Sequence, residues 1–159
     1  MSASDNAPPG AVTPSTEEGL GYLVARVRSA MGLAVHRRAM PELGLTGKQA
    51  STLLLVRSGR CVTAAEIARE YGLDASAVTR LVDRLEHLHL LKRGRSPEDR
   101  RIVRLSLTAE GEAAGERVRA IVADVTEQCL IGFSCEEIEF MKALLRRMLA
   151  NSQSAPPSA

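Results

Sequence analysis

The sequence predicts a mainly α-helical domain that carries one small β-hairpin and has long helices at both ends. Three observations predict it. Ser or Thr precedes Glu or Gln by three positions at Ser15/Glu18, Thr46/Gln49, Thr63/Glu66 and Ser134/Glu137. At that spacing a hydroxyl and an acidic or amide side chain cap a helix start reciprocally. Apolar residues recur in steps of three and four towards both ends, the period of a helix with one buried face. Between them Val103-Arg104-Leu105-Ser106-Leu107 alternates with period two, which marks a half-buried strand.

Each element follows in order. Residues 1–14 and 151–159 are rich in Ser, Ala and Pro and are expected to be disordered tails around an ordered domain of residues 15–150. The first helix opens near Ser15 and carries Leu20, Val24, Val27, Met31 and Val35 on one face. Pro41 is expected to end it, because proline disfavours the α conformation at the residue before it. The second helix starts at Thr46, carries Leu53, Leu54 and Val56, and closes at Ser58-Gly59. Cys61-Val62 reads as a short extended, strand-like link. A brief helix, AAEIAREY, follows Thr63 and stops at Gly72. Asp74 caps the next helix, with Leu81, Val82, Leu85 and Leu88 as its buried face.

Leu90 to Arg93 reads as a strand, and Gly94, Ser96 and Pro97 as turn residues, so the alternating strand after them completes a hairpin. A long helix from Thr108 places Val118, Ile121, Val122, Val125 and Cys129 on one side. The terminal helix opens at Ser134 and carries Ile138, Met141, Leu144, Leu145, Met148 and Leu149.

Composition narrows the function. The hydrophobic fraction of 45% and charged fraction of 25% are those of an ordinary globular protein. Aromatics make up 3% and Trp is absent, which argues against stacking platforms for single-stranded nucleic acid. The net charge of +2 is uninformative, but its distribution is not. Residues 92–104 carry +4 and residues 108–142 carry −5, so one end should attract phosphate and the other should not. No apolar run is long enough to span a membrane, and the N-terminus lacks the pattern of a signal peptide. Three cysteines without a CxxC pair fit reduced thiols and a cytoplasmic protein. No phosphate loop, nucleophile elbow or zinc spacing appears, so neither an enzyme nor a cofactor or metal site is expected.

The short helix, the turn at Gly72 and the helix from Asp74 have the dimensions of a helix–turn–helix. The second helix of that motif enters the major groove with its N-terminal residues at the base edges. Those residues here are Ser76, Ala77, Thr79 and Arg80, with Arg84 one turn on. Arg80 suits a bidentate contact to guanine, and Ala77 allows close approach. The hairpin adds a wing with Arg95, Arg100 and Arg101 at or near its tip, where a guanidinium can enter the minor groove. Asp99 beside them repels phosphate, but a carboxylate that accepts from a guanidinium can hold it in one rotamer.

Three stretches carry a family resemblance: SAVTRLVDRLE (Ser76–Glu86), the following Leu90-Leu91-Lys92-Arg93, and Asp99-Arg100-Arg101 leading to Leu107-Thr108-Ala109-Glu110-Gly111. On these the chain resembles the MarR family of bacterial winged-helix transcription regulators over roughly residues 17–150. His87-Leu88-His89 departs from the Lys/Gly-type turn usual there. The resemblance implies a winged helix–turn–helix flanked by N- and C-terminal dimerisation helices. The DNA-binding lobe would span about 46–108, and the dimerisation helices about 15–40 and 108–150. It assigns Asp99 as supporting carboxylate and Arg101 as the minor-groove residue.

The resemblance also implies a homodimer on a pseudo-palindromic double-stranded operator, with half-sites about 10 base pairs apart. The expected function is a repressor released by a small aromatic or phenolic acid. Its candidate contacts are His36, Arg37 and Arg38, a basic cluster late in the first helix, together with Tyr22. The alternatives are a thiol redox switch at Cys61, Cys129 or Cys135, and a winged-helix protein-interaction module. Cys135 falls at a helix start, which stabilises a thiolate. The family's redox-sensing branch carries its cysteine early in the first helix, where this chain has none.

Overall fold

The computed structural model describes residues 19–95, 99 and 101–154. Six helices and one hairpin follow in chain order among these residues. They are α1 (Leu20–Leu43), α2 (Gly47–Arg57), α3 (Ala64–Tyr71), α4 (Ala75–His87), β1 (Leu91–Arg95), β2 (Val103–Leu107), α5 (Ala109–Cys129) and α6 (Cys135–Ser154). The mainly helical winged helix–turn–helix expected from the sequence is the fold observed. No helix among the described residues is long and apolar enough to cross a membrane.

The caps explain where most helices begin. Thr46 and Gln49 exchange hydrogen bonds at the start of α2, as do Thr63 and Glu66 at α3 and Ser134 and Glu137 at α6. The Glu66 carboxylate also accepts from the Val62 N–H at 2.7 Å. That bond, ahead of the others, holds Glu66 below the usual carboxylate range. The anticipated box at Ser15 lies outside the described residues, within which α1 opens at Leu20 behind Gly19.

Pro41 does not end α1. It sits inside the helix, which runs two residues further and stops at Gly44, left-handed at φ 66°. Proline removes a single backbone bond this close to a helix end. Tertiary contacts hold the last turn: Ala39 and Leu45 are fully buried, and Glu42 meets Arg117 of α5 at 3.4 Å. The C-terminal boundary also moves, since α6 continues through Ser154 rather than giving way to a tail at Asn151. The Ser152 hydroxyl donates to the Leu149 carbonyl in that last turn.

The hairpin starts at Leu91 rather than Leu90 and includes Gly94, which pairs with Arg104 instead of turning. Pairing Leu91 with Leu107 and Arg93 with Leu105 puts all four side chains on one face. Leu91 and Leu105 on that face are buried in the core. The link at Cys61-Val62 is not a strand. It contributes one hydrogen bond, from the Leu105 N–H to the Val62 carbonyl at 2.8 Å, which ties the hairpin to the helix–turn–helix.

Two junctions set the geometry around α4. Gly72 is left-handed at φ 61°, and its N–H and that of Leu73 donate back to Arg69 and Ala68, which turns α3 sharply into α4. After α4 the same device recurs on a non-glycine residue. His89 has φ 58°, with N–H bonds from His89 to Glu86 and from Leu90 to Leu85. Gly111 in α5 packs onto this turn so closely that a Cβ there would lie 1.9 Å from the Leu90 carbonyl oxygen.

Candidate nucleic-acid interface

α4 presents the face the sequence predicts. Ser76, Thr79, Arg80 and Arg84 are exposed, while Val78, Val82 and Leu85 are buried on the opposite side. Ala77 is half-buried, so it helps seat the helix as well as lining the face. Asp74 accepts from the Ala77 N–H at 2.8 Å and from the Ser76 hydroxyl, and the second bond is the main reason its carboxyl lies below the usual range. Arg80 Nη1 donates to Ser76 Oγ at 3.3 Å, and the Thr79 hydroxyl donates to the Ala75 carbonyl. The hydroxyls therefore spend their protons within the helix and offer lone pairs outward, and Arg80 is the strong outward donor.

On the hairpin, Arg95 and Arg101 are exposed. Arg100 lies outside the described residues. Asp99 acts on the backbone of the turn. Its Oδ1 accepts from the backbone N–H of Arg101 at 2.9 Å, and its carbonyl accepts from Ile102 at 3.0 Å. The carboxylate thus shapes the main chain that carries Arg101, as short polar side chains do in turns.

Sequence reasoning missed Arg93. It counts among the basic residues of the hairpin, yet its guanidinium bridges two carboxylates of α4. Nη2 meets Asp83 Oδ1 at 2.7 Å, and Nη1 meets Glu86 Oε2. The readable signal was the strand period, which places Arg93 on the face of buried Leu91, together with two acids three residues apart on the neighbouring helix.

The candidate effector residues do not converge. His36 lines a cleft of about 730 Å³ between α1 and α2 that also includes Arg28, Lys48, Ser51, Glu70 and Tyr71. Arg38 instead pairs with Asp124 of α5 at 3.5 Å and lines a separate cleft. Arg37 and Tyr22 are exposed and line neither. A helix period of 3.6 explains the split, because consecutive residues point about 100° apart. Inside the cleft Lys48 Nζ lies 5.5 Å from the Tyr71 ring centre, and the Thr52 hydroxyl lies 3.3 Å from the Tyr71 hydroxyl. Burial pushes the Tyr71 phenol up from its ordinary value.

The cysteines divide as well. Cys61 is buried, and burial, ahead of Glu70 and Glu66, pushes its thiol up, which suppresses the reactive thiolate. Cys129 and Cys135 are exposed. Cys135 is the first residue of α6.

Comparison with known proteins agrees with this geometry. The sequence model of the MarR family matches residues 43–102. The multiple antibiotic resistance protein MarR of Escherichia coli K12 is 28% identical over 131 residues, 82% of this chain and 90% of that protein. A crystal structure of an E. coli MarR mutant complexed with operator DNA superposes with a TM-score of 0.69 at 27% identity, covering 82% of this chain and 93% of that one. The structure of CouR from Rhodococcus jostii RHA1 bound to p-coumaroyl-CoA superposes with a TM-score of 0.73 at 28% identity, covering 82% and 92%.

Proposed function

The chain belongs to the MarR family of transcription regulators, and from that premise we propose that it is a homodimeric repressor of double-stranded operator DNA, released by a small aromatic acid. The observation that carries the DNA reading is the alignment of two arginine sets on rigid supports. Arg80 and Arg84 project from the capped start of α4, and Arg95 and Arg101 from a hairpin locked to that helix. In this reading Ser76, Ala77, Thr79, Arg80 and Arg84 meet the major groove. Arg101, with Arg95 and Arg100 beside it, meets the minor groove, and Asp99 holds its turn. Residues 46–108 form the DNA-binding lobe.

Apolar surface supports the dimer. Leu20, Val24 and Val27 of α1 and Leu145, Met148 and Leu149 of α6 are exposed in the single chain, whereas Met31 and Val35 further along α1 pack inside it. Leu20 joins Met141, Leu144 and Leu145 around an apolar hollow of about 370 Å³. A contiguous patch of this kind is buried by association. The effector would enter the α1–α2 cleft, its carboxylate towards Arg28, His36 and Lys48 and its ring beside Tyr71. Tyr71 immediately precedes the Gly72 turn, so a ligand there bears directly on α4. Of the three cysteines in the thiol-switch alternative, the burial of Cys61 speaks against that position, while Cys129 and Cys135 are exposed.

A duplex selected by the chain from a randomised 30-base-pair pool serves as the probe. Arg80→Ala should weaken it by about 1–3 kcal/mol and relax discrimination at one position. Arg101→Ala should weaken binding and lower the salt slope by about 0.9. Unchanged isotherms for both would refute the DNA contacts. 4-Hydroxybenzoate should release the duplex from the wild type and much less from Lys48→Ala, and equal release would refute the cleft as effector site.

A further inference from the structure

We propose that Arg93 is a positioning residue for DNA reading: by bridging Asp83 and Glu86 it fixes the wing against α4 and so sets the spacing between major-groove and minor-groove contacts. The inference rests on the assignment of α4 and the wing to DNA. The argument starts from the hairpin register. Leu91, Arg93 and Arg95 share one face of β1, opposite Leu107, Leu105 and Val103 of β2. Leu91 and Leu105 anchor the base of that face in the core, while Val103 and Arg95 further out are exposed. Arg93 is thus the last inward-facing residue of β1 before the wing leaves the body of the protein.

A two-stranded hairpin has little stability of its own. Beyond the packing of Leu91 and Leu105 and the Leu105–Val62 hydrogen bond, the side chain of Arg93 joins it directly to α4. The guanidinium is planar and delocalised, and here its two terminal nitrogens each reach a different carboxylate, Nη2 to Asp83 at 2.7 Å and Nη1 to Glu86 at 2.5 Å. The Arg93 backbone N–H also reaches Glu86 Oε1 at 3.4 Å. Forked, charge-assisted bonds of this kind define an orientation as well as a distance. Asp83 and Glu86 lie three and six residues beyond Arg80, so the same contact offsets two negative charges on the helix that carries it. With its donors committed to carboxylates, Arg93 is held off the DNA.

The test is a thermodynamic cycle on the selected duplex, with affinity measured at several salt concentrations. Arg93→Ala and the isosteric pair Asp83→Asn/Glu86→Gln should each weaken binding about tenfold or more. The triple variant should be no weaker than either, because one interaction is lost in all three. The slope of log affinity against log salt should stay at the wild-type value, since no phosphate contact disappears. Arg93→Lys should not restore affinity, because an ammonium cannot bridge two carboxylates in a fixed plane.

Additive effects, a slope lowered by about 0.9, or full rescue by lysine would each overturn the proposal and make Arg93 a phosphate ligand or a simple charge. Far-UV circular dichroism checks each fold. If Arg93→Ala is unfolded, Arg93→Gln, which keeps the apolar stem, replaces it in the cycle. Arg101→Ala, run alongside, separates the two levels. If it weakens binding and lowers the slope while the Arg93 series is silent, only the clamp fails; if neither series has an effect, the DNA assignment itself fails.

Discussion

Gly111→Ala tests the structure most sharply, because two physical effects predict opposite signs. Gly111 lies in the first turn of α5, and replacing glycine by alanine inside a helix ordinarily stabilises by about 1 kcal/mol. Here the new Cβ would stand 1.9 Å from the Leu90 carbonyl oxygen, 2.9 Å from its carbon and 3.3 Å from Leu107 Cβ. The obstacle is backbone, and it is held. Leu90 N–H donates to Leu85 at 3.0 Å, and the Leu90 carbonyl accepts from Thr108 at 3.2 Å. Thr108 in turn caps α5 through Gly111 N–H at 2.9 Å and donates its hydroxyl to His89. Relief requires separating α5 from the end of α4. Overpacking of this severity costs about 3 kcal/mol, and losing the Thr108–Leu90 bond about 1 more.

Set against the propensity gain, the net is a destabilisation of about 3 kcal/mol, or a melting point lowered by about 6–12 °C in a chain of this size. Urea and thermal unfolding at one fixed protein concentration measure it, since in a self-associating protein the midpoint depends on concentration. Gly32→Ala is the control. A Cβ there meets nothing within 4 Å, so it should stabilise by about 0.5–1 kcal/mol. A Gly111→Ala protein as stable as the wild type would refute the close approach at Leu90.

Other outcomes follow from local chemistry. His89→Gly should raise the urea midpoint by the equivalent of about 0.5–1 kcal/mol, because glycine adopts φ 58° without the Cβ penalty; a lower midpoint would mean that the imidazole packs usefully. Glu66 is held below its ordinary value of 4.5 by the Val62 and Thr63 donors, so its contribution is present above that pH and lost as pH falls through the lower folded value. The acid-induced drop in stability should therefore be shallower in Glu66→Gln, and an identical pH profile would remove Glu66 from the account. Iodoacetamide should alkylate Cys61 only after unfolding, and rapid labelling of Cys61 in the folded protein would contradict its burial.

Signals that act over three or four residues were read correctly. The boxes at Thr46, Thr63 and Ser134 and the cap at Asp74 are all made as their spacing implies, because donor and acceptor are set by the helix they start. The exposed arginines of α4 and the wing were legible for the same reason, since helix and strand periods assign them a face. Pro41 shows where a local rule fails. The preference against helix before proline is real but modest beside the packing of Ala39 and Leu45 and the reach of Glu42 to Arg117. The His36-Arg37-Arg38 cluster divides for a different reason, since neighbours in sequence diverge around a helix and only one of the three lines the cleft.

By itself, then, the sequence determined most of the elements, their caps and the exposed face of α4, because each depends on hydrogen bonds and periodicities confined to a single segment. Tertiary structure decided that the Arg93 guanidinium meets Asp83 and Glu86 of α4, that Gly111 must lack a side chain, and that Lys48 and Tyr71 share a cleft with His36. Those outcomes depend on which atoms meet when segments far apart in sequence pack together, and that is fixed by the shape of the shared core.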